Sequence, residues 1–127
     1  MDRPACLAHI AEDGRAQTVE GHLNGTAWRS AAFAADFGAA AFGRLVGQAH
    51  DIGMASLPFQ KRLNGGLKVD HATAGAIECA KNDALMSACC VAGHHGGLPD
   101  FGNLETDQPG DPTFVGRLKR GIAGGIP

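Results

Sequence analysis

The sequence predicts an all-α fold, and three observations support this prediction. Apolar residues recur at helical spacing in several segments, as at Phe42, Leu45, Val46 and Ala49. Serine or threonine precedes several of these segments and glycine follows them, as is typical of helix ends. No segment shows a convincing alternation of apolar and polar residues, which would indicate a strand. We therefore predict a bundle of helices.

The bulk composition is that of one domain. The chain has 127 residues, of which 44% are apolar, and this is enough for one hydrophobic core. A single domain is predicted over 1–127, with its core at about 18–120. The formal net charge is −2, so the chain lacks the positive field that tight, autonomous binding of nucleic acid requires. If its substrate is a nucleic acid, we expect another protein to deliver it.

The N-terminal part is predicted to hold an irregular segment followed by a long helix. Residues 1–17 are of mixed polarity, and His9 in this loop is expected to be structural or solvated. The helix is predicted over 18–37, with Thr18 as its N-cap. One face of this helix is predicted to point inward, and it comprises His22, Leu23, Thr26, Ser30, Phe33 and Phe37.

A second helix is predicted over 39–50. Its buried stripe is expected to comprise Phe42, Leu45, Val46, Ala49 and His50. Asp51 follows at the helix end, and Gly53 releases the backbone from the helix. Neighbouring side chains in a helix point about 100° apart, so we expect fraying at the helix end to let His50 and Asp51 reach a common ion.

The remaining chain alternates short helices with loops. Four further helices are predicted, at 56–63, 72–81, 84–93 and 113–120. The first has Ser56 as its cap and a proline in its first turn. The segment 96–112 is rich in glycine, proline and aspartate and is predicted to be a loop at the rim of the molecule. The apolar, glycine-rich tail at 121–127 has no assigned role.

Five of the six histidines lie on the inner face or at the ends of predicted helices. They are His22, His50, His71, His94 and His95. A single histidine of this kind is more often structural than functional. As a set, however, these side chains would each need a separate hydrogen-bond partner in a core with few polar groups. We therefore interpret them as ligands of a metal centre.

Asp51 is predicted to bridge two metal ions. Paired ions about 3.5–4 Å apart need a short acidic group between them. His22 and His50 are then predicted to bind one ion, and the remaining ligands the other. Imidazole with one carboxylate favours iron, manganese, cobalt, nickel or zinc over magnesium. A metal-bound water would attack phosphorus, which makes His50 and Asp51 the candidate catalytic pair of a phosphodiesterase.

Two groups of basic residues either line a path for phosphates or lie on solvated helix faces. The first group comprises Lys61, Arg62 and Lys68, and the second comprises Arg117, Lys119 and Arg120. No substrate-binding residue is assigned from the sequence alone.

The cysteines and the N-terminus predict a reducing, cytoplasmic environment. The four cysteines form no Cys-x-x-Cys pair, and they are Cys6, Cys79, Cys89 and Cys90. We expect them to be structural thiols, with metal ligation as the alternative. The first residues contain no apolar signal segment, and no run approaches the length of a membrane span, so no membrane association is expected.

The sequence His50-Asp51-Ile52-Gly53 is the HDIG signature of the HD phosphohydrolase superfamily. The wider set of segments resembles the HD nuclease domain of the type I CRISPR helicase-nuclease, especially subtype I-C, from about residue 7 to residue 120. The segments that carry the resemblance are 21–23, 27, 50–53, 59–60, 69–76, 92–100 and 111–120.

The resemblance implies a helical HD fold and a metal-dependent endonuclease that acts on single-stranded DNA. Members of this family work with a helicase and with a crRNA-guided surveillance complex. The ligand histidines of the family fall on His22, His50, His71, His94 and His95, and its bridging aspartate falls on Asp51. His9 matches an early histidine of the family only in part.

The chain departs from the family in two ways. Met54 stands where the family usually has a lysine that contacts phosphate or faces solvent, and this predicts lower activity. The family also continues further and carries another ligand aspartate, for which Asp100, Asp107 and Asp111 are poor matches. The chain therefore resembles a C-terminally short HD domain, with weak binding of the His22/His50 ion and an uncovered apolar face that self-association or another segment could cover.

These departures leave two other functions open. One is an inactive or weakly active HD domain that binds metal and docks on, or competes within, a CRISPR complex. The other is an HD phosphohydrolase that acts on a nucleotide or another small phosphoester, which requires a closed pocket with groups that bind a base or sugar.

Overall fold

The computed structural model describes residues 4–121 and confirms a mostly helical fold. Within those residues it has six α-helices, one short 3-10 helix at Ile52–Ala55 and one sheet of two strands. The helices are α1 (Val19–Ala35), α2 (Ala40–Ala49), α3 (Leu57–Leu63), α4 (Thr73–Lys81), α5 (Leu85–Gly93) and α6 (Phe114–Arg120). The tail predicted without a role lies outside the described residues beyond Gly121, as do the first three residues.

Hydroxyl side chains cap the beginnings of three helices, two of them as predicted. Thr18 Oγ1 accepts a hydrogen bond of 3.0 Å from the backbone N–H of Gly21 at the start of α1. Ser56 caps α3 and Thr113 caps α6 in the same way. None of the helices among residues 4–121 is both long and apolar enough to cross a membrane.

The prediction of an irregular N-terminal segment without strands was wrong. Strand β1 (Leu7–Ile10) pairs antiparallel with β2 (Ala16–Thr18), and a β-bulge between Leu7 and His9 interrupts the register. The bulge and the shortness of both strands remove the alternation that identifies a strand in a sequence. The side chain of Gln60 joins this sheet to α3, because it both accepts from the N–H and donates to the carbonyl of Leu7.

The inward face predicted for α1 was also wrong in part. Phe33 and Phe37 are 74% and 75% exposed, and the buried residues of the helix are small. They are Val19, Ala27, Ala31 and Ala34. The helix therefore buries alanines against its neighbour and leaves the phenylalanines in solvent.

Helix α2 packs closely against α1 through glycine. A Cβ atom at Gly47 would lie 2.5 Å from the Cα atom of Ala27, and one at Gly43 would overlap the carbonyl oxygen of Ser30. Consequently, the buried stripe of α2 runs through its glycines, and Leu45, predicted to be buried, is 40% exposed. This close contact places the end of α2 beside the start of α1.

Two apolar clusters form the core. The first joins α2, α4, α5 and α6 and comprises Ala49, Ala76, Cys79, Ala88, Val91, Ala92, Phe114 and Val115. The second joins the sheet, α1, the 3-10 helix and α3 and comprises Ala8, Val19, Met54 and Phe59. The site described below lies where the chain passes from α2, in the first cluster, to the 3-10 helix, in the second.

Candidate metal centre

Three helix ends and one loop bring the predicted ligands together. His22 lies in the first turn of α1, and His50 is the C-cap of α2. His94 is the C-cap of α5, and His95 follows it. His71 lies in the segment just before α4. All five side chains face the carboxylate of Asp51, which is 3% exposed.

One carboxylate oxygen of Asp51 faces the first pair of histidines. Its Oδ2 atom lies 2.8 Å from Nε2 of His22 and 3.0 Å from Nε2 of His50. The two imidazole nitrogens are 3.2 Å from each other. These three residues form a group whose ligand atoms can hold one metal ion.

The other oxygen faces the remaining histidines. The Oδ1 atom of Asp51 lies 3.0 Å from Nε2 of His94, 3.5 Å from that of His71 and 3.9 Å from that of His95. The Nε2 atoms of His71 and His95 are 2.7 Å apart. Asp51, His71 and His95 form a second group that can hold an ion, and His94 contacts the same oxygen. The histidines thus divide between the two oxygens as the sequence suggested, while their role as ligands stays a prediction.

The separations between ligand atoms suit a small cation. Metal–nitrogen and metal–oxygen bonds of about 2.0–2.1 Å in a tetrahedral site place the ligand atoms about 3.3–3.4 Å apart. The separations in the first group, from 2.8 to 3.2 Å, would need to widen by a few tenths of an ångström. Slight rotations of these side chains would be enough to produce this change.

In His50 and His94, the hydrogen bond made by Nδ1 affects the protonation of Nε2. The Nδ1–H of His50 donates to the carbonyl oxygen of Gly47 at 2.6 Å, and that of His94 donates to Val91 at 2.6 Å. A neutral ring with its proton on Nδ1 presents an unprotonated Nε2, which here faces an oxygen of Asp51 at 3.0 Å. Two electron-rich atoms at this distance repel each other unless the ring gains a second proton or a cation lies between them.

The electrostatics favour an ionised Asp51. Burial acts to raise the pKa of Asp51. When protons rather than a cation occupy Nε2 of His50, His94 and His22, hydrogen bonds from these rings outweigh burial and hold the pKa of Asp51 far below its usual range. Burial also lowers the pKa of His95, and the neighbouring His94 lowers it further. One carboxylate cannot offset protons on all five rings, whereas a metal ion uses their lone pairs directly.

Gly53 allows the HDIG segment to approach His71. A Cβ atom at Gly53 would overlap the backbone carbonyl oxygen of His71. Any larger residue at this position would therefore displace the backbone of His71. The glycine of the signature is thus explained by a close contact between two backbone segments, one of which carries a predicted ligand.

Arg117 of α6 holds together two segments that lie next to predicted ligands. Its guanidinium donates to Thr73 Oγ1 at 2.9 Å and to the carbonyl oxygen of Ala92 at 2.7 Å. Asp70 accepts from the backbone N–H of Thr73 and from Arg120. These bonds tie α6 to the start of α4, which follows His71, and to the end of α5, which His94 caps. Lys119 donates to loop carbonyls, so structural contacts engage all three members of the second basic group.

Two members of the first basic group lie beside the centre. Arg62 and Lys68 line a cavity of about 670 Å³ together with His71 and His95. Arg62, His71 and His95 also line a second cavity of about 500 Å³ on the side of the sheet. The centre therefore opens to solvent through His95, whose side chain is 59% exposed.

Met54 is buried, whereas the lysine that the resemblance implies at this position contacts phosphate or faces solvent. It is 4% exposed and packs with Phe59 in the second core cluster. The 3-10 helix after Asp51 turns this side chain inward, toward the sheet. The thioether thus fills the core at this position.

His9 and the loop aspartates are the remaining candidates. The ring of His9 lies on β1, 5.2 Å from the ring of His22, rather than in a loop. The loop aspartates are engaged elsewhere, since Asp107 accepts from Thr113 and Asp111 from the N–H of Gln108. Neither aspartate belongs to a metal-binding group among the described residues, and no residue there takes the place of the aspartate missing from the resemblance.

Comparison with known proteins adds no assignment. No protein-family model matches the chain, and no curated protein matches it.

Proposed function

We propose that the protein is a metal-dependent phosphodiesterase of the HD type that cuts single-stranded DNA in the cytoplasm. The observation that supports this proposal most is the arrangement of His50 and His94. When either ring is neutral, it presents the lone pair of Nε2 to Asp51, because its Nδ1–H donates to a backbone carbonyl. His50, His94 and Asp51 could share a cation, which would remove this repulsion.

The predicted ligands would divide between two metal ions. His22, His50 and Oδ2 of Asp51 would hold one transition-metal ion, and His71, His94, His95 and Oδ1 would hold another. A metal ion in such a site supplies a hydroxide at neutral pH and neutralises charge on the phosphate in the transition state. The carbonyls of Gly47 and Val91 orient two of the rings and make them better ligands.

The substrate preference follows from the shape and charge of the site together with the resemblance. The exposed face of the centre lies between two cavities, rather than at the bottom of a closed pocket that would surround a nucleotide. The net charge of −2 offers little non-specific affinity for DNA. We therefore infer that a helicase and a crRNA-guided complex deliver the strand.

A metal titration combined with a nuclease assay tests the proposal. The purified chain is stripped of metal, and iron, manganese, cobalt, nickel or zinc is added back before incubation with labelled single-stranded DNA. We expect bound metal and internal cleavage in the wild type and neither in Asp51→Asn. Asp36→Asn, which alters an exposed carboxylate on the far end of α1, is the matched control and should behave as the wild type.

Two outcomes would favour the other functions. One bound metal per chain without any cleavage would indicate the inactive domain that docks on a CRISPR complex, which the missing aspartate near His22 and His50 favours. Release of phosphate from mononucleotides, with single strands left intact, would indicate the small-molecule phosphohydrolase. A self-associating chain would be recognised by its mass in solution.

A further inference from the structure

We propose that Arg62 is a positioning residue for a substrate strand that passes across the metal centre, and that it binds the phosphate next to the one being cut. This inference rests on the proposed function for its substrate. It concerns a side chain that belongs to neither metal-binding group.

The two cavities beside the centre meet at Arg62. The larger one extends toward Lys68, Gly97 and Leu98, and the smaller one toward the sheet. Arg62, His71 and His95 are the residues that line both. A linear substrate that occupied both cavities would therefore cross His95 and pass Arg62 at its midpoint.

The side chain of Arg62 is available for this task. It lies in the last turn of α3, and no hydrogen bond or ion pair engages its guanidinium within residues 4–121. By contrast, Arg117, which lines the larger cavity too, donates to Thr73 and Ala92 and is fixed in place. Lys68 adds a second cation on the side of the larger cavity.

The chemistry of the guanidinium fits a phosphodiester. Its planar set of N–H donors can bind two phosphate oxygens at once, with greater directionality than an ammonium group. Successive phosphates of an extended strand are spaced so that one can sit at the metal centre while the next reaches a neighbouring side chain. We expect a small phosphodiester without flanking phosphates to gain little from Arg62, since this side chain belongs to neither metal-binding group.

Arg62→Gln and Lys61→Gln form a matched pair for the test. Both remove one positive charge from the same turn of α3, but Lys61 lines neither cavity. Binding of a labelled oligonucleotide is measured by fluorescence anisotropy in chelator, where no cleavage occurs. We expect Arg62→Gln to raise Kd about tenfold, as loss of one charge-assisted contact would, and Lys61→Gln to change it less than about twofold. The salt dependence of binding should weaken by about 0.7 in the logarithmic slope for Arg62→Gln alone.

Kinetics separate positioning from a structural role. With metal added, Arg62→Gln should raise KM for the oligonucleotide about tenfold and leave hydrolysis of bis(p-nitrophenyl) phosphate unchanged. Arg62→Lys should recover part of the lost affinity. Equal effects on both substrates would show a structural role and overturn the inference.

The binding experiment also separates this inference from the proposed function. A chain that binds the strand through Arg62 but cuts nothing would refute the nuclease and leave the inference standing. A chain that cuts DNA but loses no affinity in Arg62→Gln, or loses as much in Lys61→Gln, would refute the inference alone. Failure of the wild type to bind any oligonucleotide would refute the inference as well.

Discussion

The two ring nitrogens of His50 contact different groups. Its Nδ1–H donates to the carbonyl of Gly47, three residues earlier in α2, and its Nε2 faces Asp51. His94 repeats this arrangement with Val91 at the end of α5. In both cases the helix end supplies the carbonyl that fixes the ring, so a histidine that directly follows an apolar helix is pre-oriented as a ligand.

Replacement of His50 should therefore remove metal with little change elsewhere. We expect His50→Gln to weaken metal binding by about a hundredfold or more, because it deletes a ligand and not only its support. His9→Gln is the control, since that ring also lies beside His22 but belongs to neither group. Isothermal titration with zinc measures both variants, and similar losses in the two would contradict the assignment of His50.

Met54 should matter for stability. Its side chain is buried against Phe59, and we expect Met54→Ala to lower the free energy of unfolding by about 2–5 kcal/mol. Met54→Leu keeps the volume and should cost less than about 1.5 kcal/mol. Denaturation in urea gives both values. A cost below about 0.5 kcal/mol for Met54→Ala would show that the side chain is not packed.

At the scale of elements, the hairpin of α1 and α2 positions half of the centre. The two helices approach through Ala27 and Gly47, and this places His22 beside His50. Gly47→Ala should cost about 1–3 kcal/mol, because its new methyl group must push the helices apart. Gly25→Ala, on the exposed side of α1 with open space around it, should instead stabilise by about 0.5–1 kcal/mol.

Thermal unfolding monitored by circular dichroism measures both glycine variants. The sign of the change is the test, since helix propensity favours alanine at both positions and only the packing differs. Two stabilising substitutions would mean that α1 and α2 lie further apart than described. Zinc binding to Gly47→Ala should also weaken as His50 moves away from His22.

The sequence predicted the helix boundaries better than the helix faces. Boundaries depend on local signals, such as the hydroxyl of Thr18 that caps α1. Faces depend on what packs against them, and in α1 the contact surface consists of alanines that a hydrophobicity pattern ranks below Phe33 and Phe37. The short strand β1 was missed because its bulge and its pairing with Gln60 are set by tertiary contacts.

The sequence predicted the members of the candidate site, but not which basic residues lie beside it. The positions of the histidines and Asp51 in the chain suggested their convergence, and the structure brings all six together. The choice between the two basic groups was not predictable, because it depends on which side chains already have partners. Lys119 and Arg120 bind loop carbonyls and Asp70, and only the assembled fold reveals that Arg62 faces the centre.

At the scale of the whole molecule, the centre connects the two core clusters. His94 comes from α5 in the first cluster, and His22 comes from α1, which packs in the second. Asp51 lies between them and contacts both. An ion held by these groups would therefore oppose separation of the two halves, and metal binding would be coupled to folding.

Metal should accordingly raise the stability of the entire chain. At a free zinc concentration of about one hundred times Kd, we expect the free energy of unfolding to rise by about 2.7 kcal/mol, provided that the unfolded chain does not bind the ion. Chelation should reverse the gain, and magnesium should produce little of it, because it prefers oxygen ligands. The same zinc concentration should leave Asp51→Asn unchanged in thermal unfolding. A comparable gain in that variant would show that the ion binds elsewhere, for example at the free cysteines, and that the histidines around Asp51 are held together by protons alone.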